Sequence, residues 1–314
     1  MTKPNRLVPA SLEFAVDGTP VSSSYDDVYH STKGGLEQAR HVFLGGNALP
    51  QRWRSRSSFT ILETGFGLGL SFLATWQAWR ADPQRCERLH FISTELHPFA
   101  HADLAVLHAQ WPELAELSAQ LLAAWPPLTS GFHHLLLDKG SVTLTLLFGD
   151  ANDTLKQLVG QADAIYLDGF APQKNPQLWS SELLSLLTTK HAAADATLAS
   201  WCVAGEIRST LKALGWMLKK RPGYGHKWQM LTGIRGAPIE QPTPTAHTAI
   251  VIGAGIAGCS IAEALARRGW RVKIVEKNAE PAQEASGNPV GLLHPMLAKD
   301  DNLAARFSRA AYLY

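Results

Sequence analysis

Apolar residues along the first two-thirds of the chain follow two alternating rhythms. Short continuous runs, SFTILET, LHFISTE, VTLTLLFGD, DAIYLDGF and TLASWCVA, read as strands buried on both faces. Between them lie stretches such as LSFLATWQAWRA and FAHADLAVLHAQW, whose apolar positions recur at helical spacing. Residues 207–214 predict a further helix, stopped by Gly215, and WQMLTGIR predicts a last strand. This alternation specifies an α/β fold with a mostly parallel sheet and helices on both faces. Ligands on such sheets sit beyond the carboxyl ends of the strands. Function is therefore to be sought where the strands stop.

One stretch breaks all periodicity. GAPIEQPTPTAHT, residues 236–248, holds three prolines and three threonines, and proline stiffens and extends such a segment. It separates an expected first domain, residues 1–236, from an expected second, residues 248–314, with 237–247 as the linker. A length of 314 residues agrees with two cores rather than one. The chain is 46% hydrophobic and 18% charged, which sets it apart from disordered sequences. Its net charge of +2 neither demands nor excludes a nucleic-acid partner, so any basic footprint has to be local.

Cys86, Cys202 and Cys259 are far apart and form no C-x-x-C pair. They argue against a metal site or a disulfide framework and for a reducing, cytoplasmic setting. The N-terminal residues carry no apolar signal core. The longest apolar run, residues 249–266, is broken by glycines and carries Glu263, so it reads as a strand and a helix and not as a membrane span.

The first glycine loop, ETGFGLGL, follows the first of these strands. Gly65, Gly67 and Gly69 let the backbone turn tightly and let a ligand come close, with Phe66 between them. A diphosphate fingerprint would read G-x-G-x-x-G. This loop reads G-x-G-x-G and is preceded by Glu63. An acid there opposes a diphosphate and suits the amino group and sulfonium of S-adenosylmethionine. Glu95 closes the next strand, where a carboxylate can accept both ribose hydroxyls. Asp150 closes VTLTLLFGD and is placed to meet the adenine amino group, with Asn152 beside it. Each acid taken singly also fits a helix cap. Four acids at strand ends, Glu63, Glu95, Asp150 and Asp168, point together to a methyltransferase site.

Asp168 lies in LDGFAP. Methyl transfer to nitrogen needs a neutral lone pair in line with the methyl group, and a carboxylate beside the amine can orient it and take its proton. The turn would bring backbone carbonyls to the same amine, with Phe170 and Pro172 forming the substrate side of the pocket. The alternative, Asp168 as cap of a helix near Leu178, has Pro172 and Pro176 in its way.

The second glycine loop lies in TAIVIGAGIAGCSIAEALARRGWRVKIVEKN, a strand, turn, helix and strand. Gly253, Gly255 and Gly258 fit G-x-G-x-x-G, and Glu276 ends the second strand about 20 residues on, as a dinucleotide fingerprint requires. A pyrophosphate would rest on the helix N-terminus, and Glu276 would hold the ribose. The fingerprint does not separate FAD from NAD. Residues 248–314 supply one βαβ unit and a little more, so this domain is expected to be incomplete.

Several segments, in this order, resemble the MnmC family: DDVYHSTKGGLEQARHVFLGGN, ETGFGLGLSFL, LHFISTELHP, LLFGDAND, LDGFAPQKNPQLW and AIVIGAGIAG with ASGNPVGLLHP. The resemblance runs over essentially the whole chain. It implies a Rossmann-like S-adenosylmethionine methyltransferase domain joined to an FAD-dependent oxidoreductase domain, both acting on the wobble uridine of tRNA. The flavin half would remove the carboxymethyl group of 5-carboxymethylaminomethyl-2-thiouridine, and the methyltransferase half would methylate the resulting 5-aminomethyl group. The resemblance places the catalytic aspartate on Asp168. It makes Tyr29 and residues 34–46 a cover over the cofactor. Where the family has Pro-Gly-Gly, this chain has Ala193, Ala194 and Asp195, which predicts a looser turn. For tRNA contact the candidates are RWRSRS, from Arg52, and the run holding Lys219, Lys220, Arg221 and Lys227; lysine and arginine beside aromatics suit phosphates and bases. Either run also fits a solvated edge. A small-molecule amine methyltransferase fused to an NAD-binding domain is the alternative, and a non-enzymatic dinucleotide sensor is disfavoured by the intact acids.

Overall fold

The computed structural model describes residues 7–31, 34–225, 227–236 and 247–313. The chain divides into two compact units, residues 1–239 and 240–314. The expected linker lies outside the described residues except for His247.

The first unit opens with an antiparallel ribbon of β1 (Glu13–Phe14), β2 (Pro20–Ser22) and β3 (Asp27–Val28), followed by the short helix α1 (Gly35–Ala39). The main run is β4 (Ser58–Glu63), α2 (Leu70–Ala81), β5 (Arg88–Glu95), α3 (His101–His108), α4 (Ala115–Ala123), β6 (Gly131–Leu137), β7 (Val142–Phe148), α5 (Ala151–Gln157), β8 (Ala162–Tyr166), α6 (Ser181–Leu186), β9 (Ala192–Ser200), α7 (Gly205–Ala213), β10 (Met217–Pro222) and β11 (Gln229–Ile234). The eight strands β4–β11 form one sheet in the order β10-β11-β9-β8-β4-β5-β7-β6. The five inner strands β4, β5, β7, β8 and β9 run parallel, and β6, β10 and β11 are added antiparallel.

Successive residues of the parallel strands point to opposite faces, and both faces are packed. Ile61, Phe91, Leu146 and Tyr166 face one core with α1 to α4; Leu62, Ile92, Leu147 and Ile165 face the other with α5 to α7. Two strands of this sheet, like the three of the N-terminal ribbon, escaped the sequence reading. In β6 only alternate residues are buried, and its double histidine interrupts the apolar run. The exposed edge strand β10 carries Lys219, Lys220 and Arg221, and charge on an edge also blunts strand pairing with other chains.

Two further expectations are corrected here. Ala193, Ala194 and Asp195 do not form a loose turn; they belong to β9, with an irregularity in its pairing to β8. RWRSRS is not a free basic surface. Arg56 Nη1 donates to Asp163 Oδ1 at 2.7 Å and Nη2 to Asp195 Oδ2 at 3.0 Å. Arg52 donates to the Asp163 and Asp195 carbonyls, and Arg54 pairs with Asp82. Burying carboxylates at the amino ends of β8 and β9 requires cations beside them, and these arginines supply the charge.

The second unit contains β12 (Thr248–Ile252), α8 (Ile256–Arg267) and β13 (Arg271–Val275), with β12 and β13 paired in parallel, and later α9 (Leu303–Leu313). This is the strand–turn–helix–strand unit expected from the second glycine loop. Among the described residues no helix is long and apolar enough to cross a membrane.

Candidate active site

The chain leaves β4 for β5 on one side and later returns to β8 on the other, so the connections after β4 and β8 leave the sheet in opposite directions. A cavity of about 430 Å³ opens there, lined by residues after β4, β5, β7, β8 and β9 and roofed from the N-terminal ribbon and α1. Thr64, Gly65, Phe66, Gly67, Glu95, Asp150, Asn152, Asp168, Phe170, Tyr29 and Lys227 all line it.

The glycine loop is held from behind and in front. Glu95 Oε2 accepts from Gly67 N at 2.8 Å, and Oε1 accepts from His97 N at 2.7 Å. Burial raises the Glu95 pKa and these backbone donors oppose the rise. His108 Nε2 lies 2.7 Å from the Leu68 carbonyl and so carries the proton, which leaves Nδ1 to accept from Ser118 Oγ at 2.8 Å. Gly67 sits at φ +52°, and a Cβ there would meet the Tyr29 ring at 3.4 Å. Tyr29 in turn packs on Phe99 and Phe170. Asp150 Oδ1 caps α5 through Asn152 N at 2.8 Å, and the residue also lines the cavity.

Asp168 is fixed on four sides. Its N–H donates to Thr64 Oγ1 at 2.9 Å, and the Thr64 hydroxyl donates to the Asp168 carbonyl at 2.6 Å. Oδ1 accepts from Gly169 N and from Trp201 Nε1, both at 2.8 Å. Among the described residues no hydrogen bond reaches Oδ2. Burial pushes the carboxyl up to about 6, against the pull of the two donors. Trp201 carries the Lys227 ammonium on its ring, 4.3 Å from the centroid, and stands edge-on to Trp179. Trp179 Nε1 donates to the Phe170 carbonyl at 2.8 Å. Two indoles thus hold the Asp-Gly-Phe turn.

Six expected site residues of the first unit do not line the cavity. Glu63 is 1% exposed and accepts from Ser93 Oγ at 2.7 Å. Burial first, and then the Asp168 charge, raise its pKa well above the carboxylate range. It ties β4 to β5 behind the loop rather than offering a charge to a ligand. Gly69 begins α2 at φ +75° with the Phe66 ring packed over it. Pro172 continues the turn outside the cavity lining, and Lys219, Lys220 and Arg221 lie on the β10 edge and also outside it. The reading of the strands missed Trp201, because TLASWCVA looks apolar throughout. Its position just past a strand end was the signal. Among the described residues no cluster of histidine, cysteine and acids could hold a metal.

The side chains around the cavity suit S-adenosylmethionine. It offers a glycine turn in which a Cβ on Gly67 would meet Tyr29, the Glu95 carboxylate at the end of β5, and Asp150 with Asn152 after β7. In the second unit a Cβ on Gly258 would fall 1.9 Å from the Gly253 carbonyl, so helix and turn approach as a dinucleotide loop requires. Glu276 Oε2 accepts from Ala254 N at 2.7 Å and Oε1 from Asn278 N at 3.0 Å. Ile256 N donates to Ser286 Oγ at 3.0 Å, at the helix N-terminus where a pyrophosphate would rest.

Comparison with known proteins finds both kinds of domain. Residues 112–236 match the S-adenosyl-L-methionine-dependent methyltransferase family model, and residues 248–314 match that of FAD dependent oxidoreductases. The tRNA 5-methylaminomethyl-2-thiouridine biosynthesis bifunctional protein MnmC of Azoarcus sp. (strain BH72) is 58% identical over 98% of this chain and 49% of its own length. The chain belongs to the MnmC family. The MnmC of Aromatoleum aromaticum is 55% identical over 98% of the chain and 48% of its own length. The chain thus spans about half the length of the MnmC proteins it matches. In fold it is similar to MnmC2 from Aquifex aeolicus, with a TM-score of 0.58 and 24% identity over 77% of this chain and 75% of that one. The family match separates FAD from NAD where the glycine fingerprint does not.

Proposed function

We propose that the first unit transfers a methyl group from S-adenosylmethionine to the 5-aminomethyl group of a tRNA wobble uridine, 5-aminomethyl-2-thiouridine. Asp168 carries the reading. It is a carboxylate with one oxygen held by Gly169 and Trp201, and it sits in a cavity beside a glycine loop. An alkylamine has a pKa near that of lysine, about 10, and enters protonated. Asp168 Oδ2 takes one ammonium proton, and the freed lone pair forms the N–C bond while the C–S bond breaks with its electrons left on sulfur. A base at about 6 narrows the gap to the amine by about 2 pKa units, or roughly 3 kcal/mol, relative to an ordinary aspartate.

Gly65, Phe66, Gly67, Glu95, Asp150 and Asn152 hold the cofactor in this reading. Tyr29 and Phe170 wall the acceptor, and Lys227 with Lys219, Lys220 and Arg221 meets tRNA phosphates. The methyltransferase domain is residues 1–236. Residues 248–314 begin an FAD domain in which Gly253, Gly255, Gly258 and Glu276 take the dinucleotide. In a longer chain that domain would remove the carboxymethyl group from 5-carboxymethylaminomethyl-2-thiouridine. The proposed setting is the cytoplasm, which suits three free cysteines. Single-turnover transfer of labelled methyl to tRNA bearing 5-aminomethyl-2-thiouridine tests the reading; transfer to small amines but not to this tRNA would refute it.

A further inference from the structure

The hairpin between β10 and β11 delivers two neighbouring side chains in opposite directions. Lys227 turns into the cavity and rests on Trp201. Trp228, the next residue, is 94% exposed. The backbone beneath it is well held. Gly223 N donates to the Trp228 carbonyl at 3.1 Å, and Lys227 N donates to the Tyr224 carbonyl at 3.0 Å. His41 Nε2 lies 3.0 Å from the Pro222 carbonyl, which joins the hairpin to the segment after α1. A Cβ on Gly223 would fall 2.0 Å from the Lys227 carbonyl, so the tip has one tight path. A rigid support that presents a whole indole to solvent at the rim of a cavity is a surface made for a planar partner. The exposed side chains of Lys219, Lys220 and Arg221 follow on the paired strand.

We infer that Trp228 is a stacking platform for an unpaired base next to the nucleotide whose amine enters the cavity, with the β10 cations following the phosphates away from it. This rests on the proposed methyl transfer to a wobble uridine and adds how the loop around that uridine is held. Aromatic stacking of single-stranded bases with a flanking cationic track is the general means of binding unpaired nucleic acid, and it tolerates sequence. A second copy of this chain is the competing occupant, but it would bring the same cations to the same edge.

The test measures binding of a fluorescent stem–loop RNA carrying 5-aminomethyluridine in its loop, at several salt concentrations, together with methyl transfer to that RNA and to the free nucleoside. Trp228→Ala should weaken RNA binding by about 5- to 100-fold, since stacking contributes roughly 1–3 kcal/mol per base, and should leave the salt slope as in the wild type. Trp228→Tyr should restore most of the loss. Lys220→Glu should lower the slope instead. The ratio of kcat/KM for RNA to that for nucleoside should fall in Trp228→Ala. A dissociation constant for Trp228→Ala within twofold of wild type, or a loss that Tyr does not restore, overturns the platform. A concentration-dependent loss of dimer in Trp228→Ala also overturns it and assigns the surface to self-association. Absence of transfer to both RNA and nucleoside by the wild type overturns the proposed function itself, a separate outcome.

Discussion

Trp201→Phe removes the indole N–H together with its five-membered ring and leaves a smaller aromatic ring for Lys227 and Trp179 to pack against. The lost bond is the 2.8 Å donation to Asp168 Oδ1. That bond favours the ionised carboxylate, so its loss raises a pKa already pushed up to about 6. A hydrogen bond to a charged group contributes about 1.5–3 kcal/mol, and the low end corresponds to about one pKa unit. The free-enzyme value should therefore move to about 7. At pH 6 the ionised fraction falls from about one half to about one tenth, a fivefold loss, and at pH 8.5 nearly all of it returns. The assay is kcat/KM for the aminomethyl RNA from pH 5.5 to 9, whose acidic limb reports the free enzyme's base. An acidic limb that stays in place in Trp201→Phe, with activity lowered equally at every pH, would show that Trp201 shapes the pocket without tuning Asp168.

Asp168→Asn should lower turnover by about 10²–10⁴-fold, the usual contribution of a general base, with S-adenosylmethionine affinity changed far less by calorimetry. The same substitution should stabilise the fold at alkaline pH. The folded-state value of Asp168 is raised, so its stability contribution is full below about pH 4 and is lost as pH rises through about 6. Asn removes that loss, and thermal unfolding at pH 8 should show a gain of at most about 3 kcal/mol that vanishes by pH 4. Gly67→Val should abolish S-adenosylmethionine binding, because it adds a branched side chain at φ +52° against Tyr29; binding at wild-type affinity would remove the loop from the site. Arg56→Ala should destabilise the first unit by about 2–3 kcal/mol, because it takes the guanidinium away from both Asp163 and Asp195 and leaves them only Thr60 N and Arg52. The salt dependence of RNA binding should not change; a smaller slope would return RWRSRS to the RNA surface.

The parallel strands were legible because burial on both faces makes them continuous apolar runs, and the acids at their ends stood out against that background. Edge strands lack this signature. β10 reads as a cluster of cations because it is exposed along almost its whole length, and β6 reads as a broken run because only alternate residues are buried. The acids were legible as a set but not by role. Glu63 and Glu95 occupy matching strand ends, yet one is sealed under Ser93 while the other faces the cavity. Which of them faces the cavity depends on where the following loop folds, and that loop packs against Tyr29, distant in sequence. Trp201 and the arginine pairs depend in the same way on contacts across 33 and more than 100 residues.

Glu95 ends β5 and Glu276 follows β13, and each divides its two oxygens between a glycine-loop amide and the amide two residues ahead. An ionised carboxylate has about four acceptor directions, so two remain for a pair of vicinal hydroxyls. In the proposed reading one side chain then both shapes the loop and reads the sugar. Loop order and sugar recognition become linked quantities: whatever loosens the loop weakens the ligand, and a bound ligand protects the loop amides from exchange by the same free energy. Replacing either acid with glutamine turns one acceptor oxygen into a donor facing a backbone N–H. The amide must then give up the loop or the sugar, and no rotation of the side chain restores both.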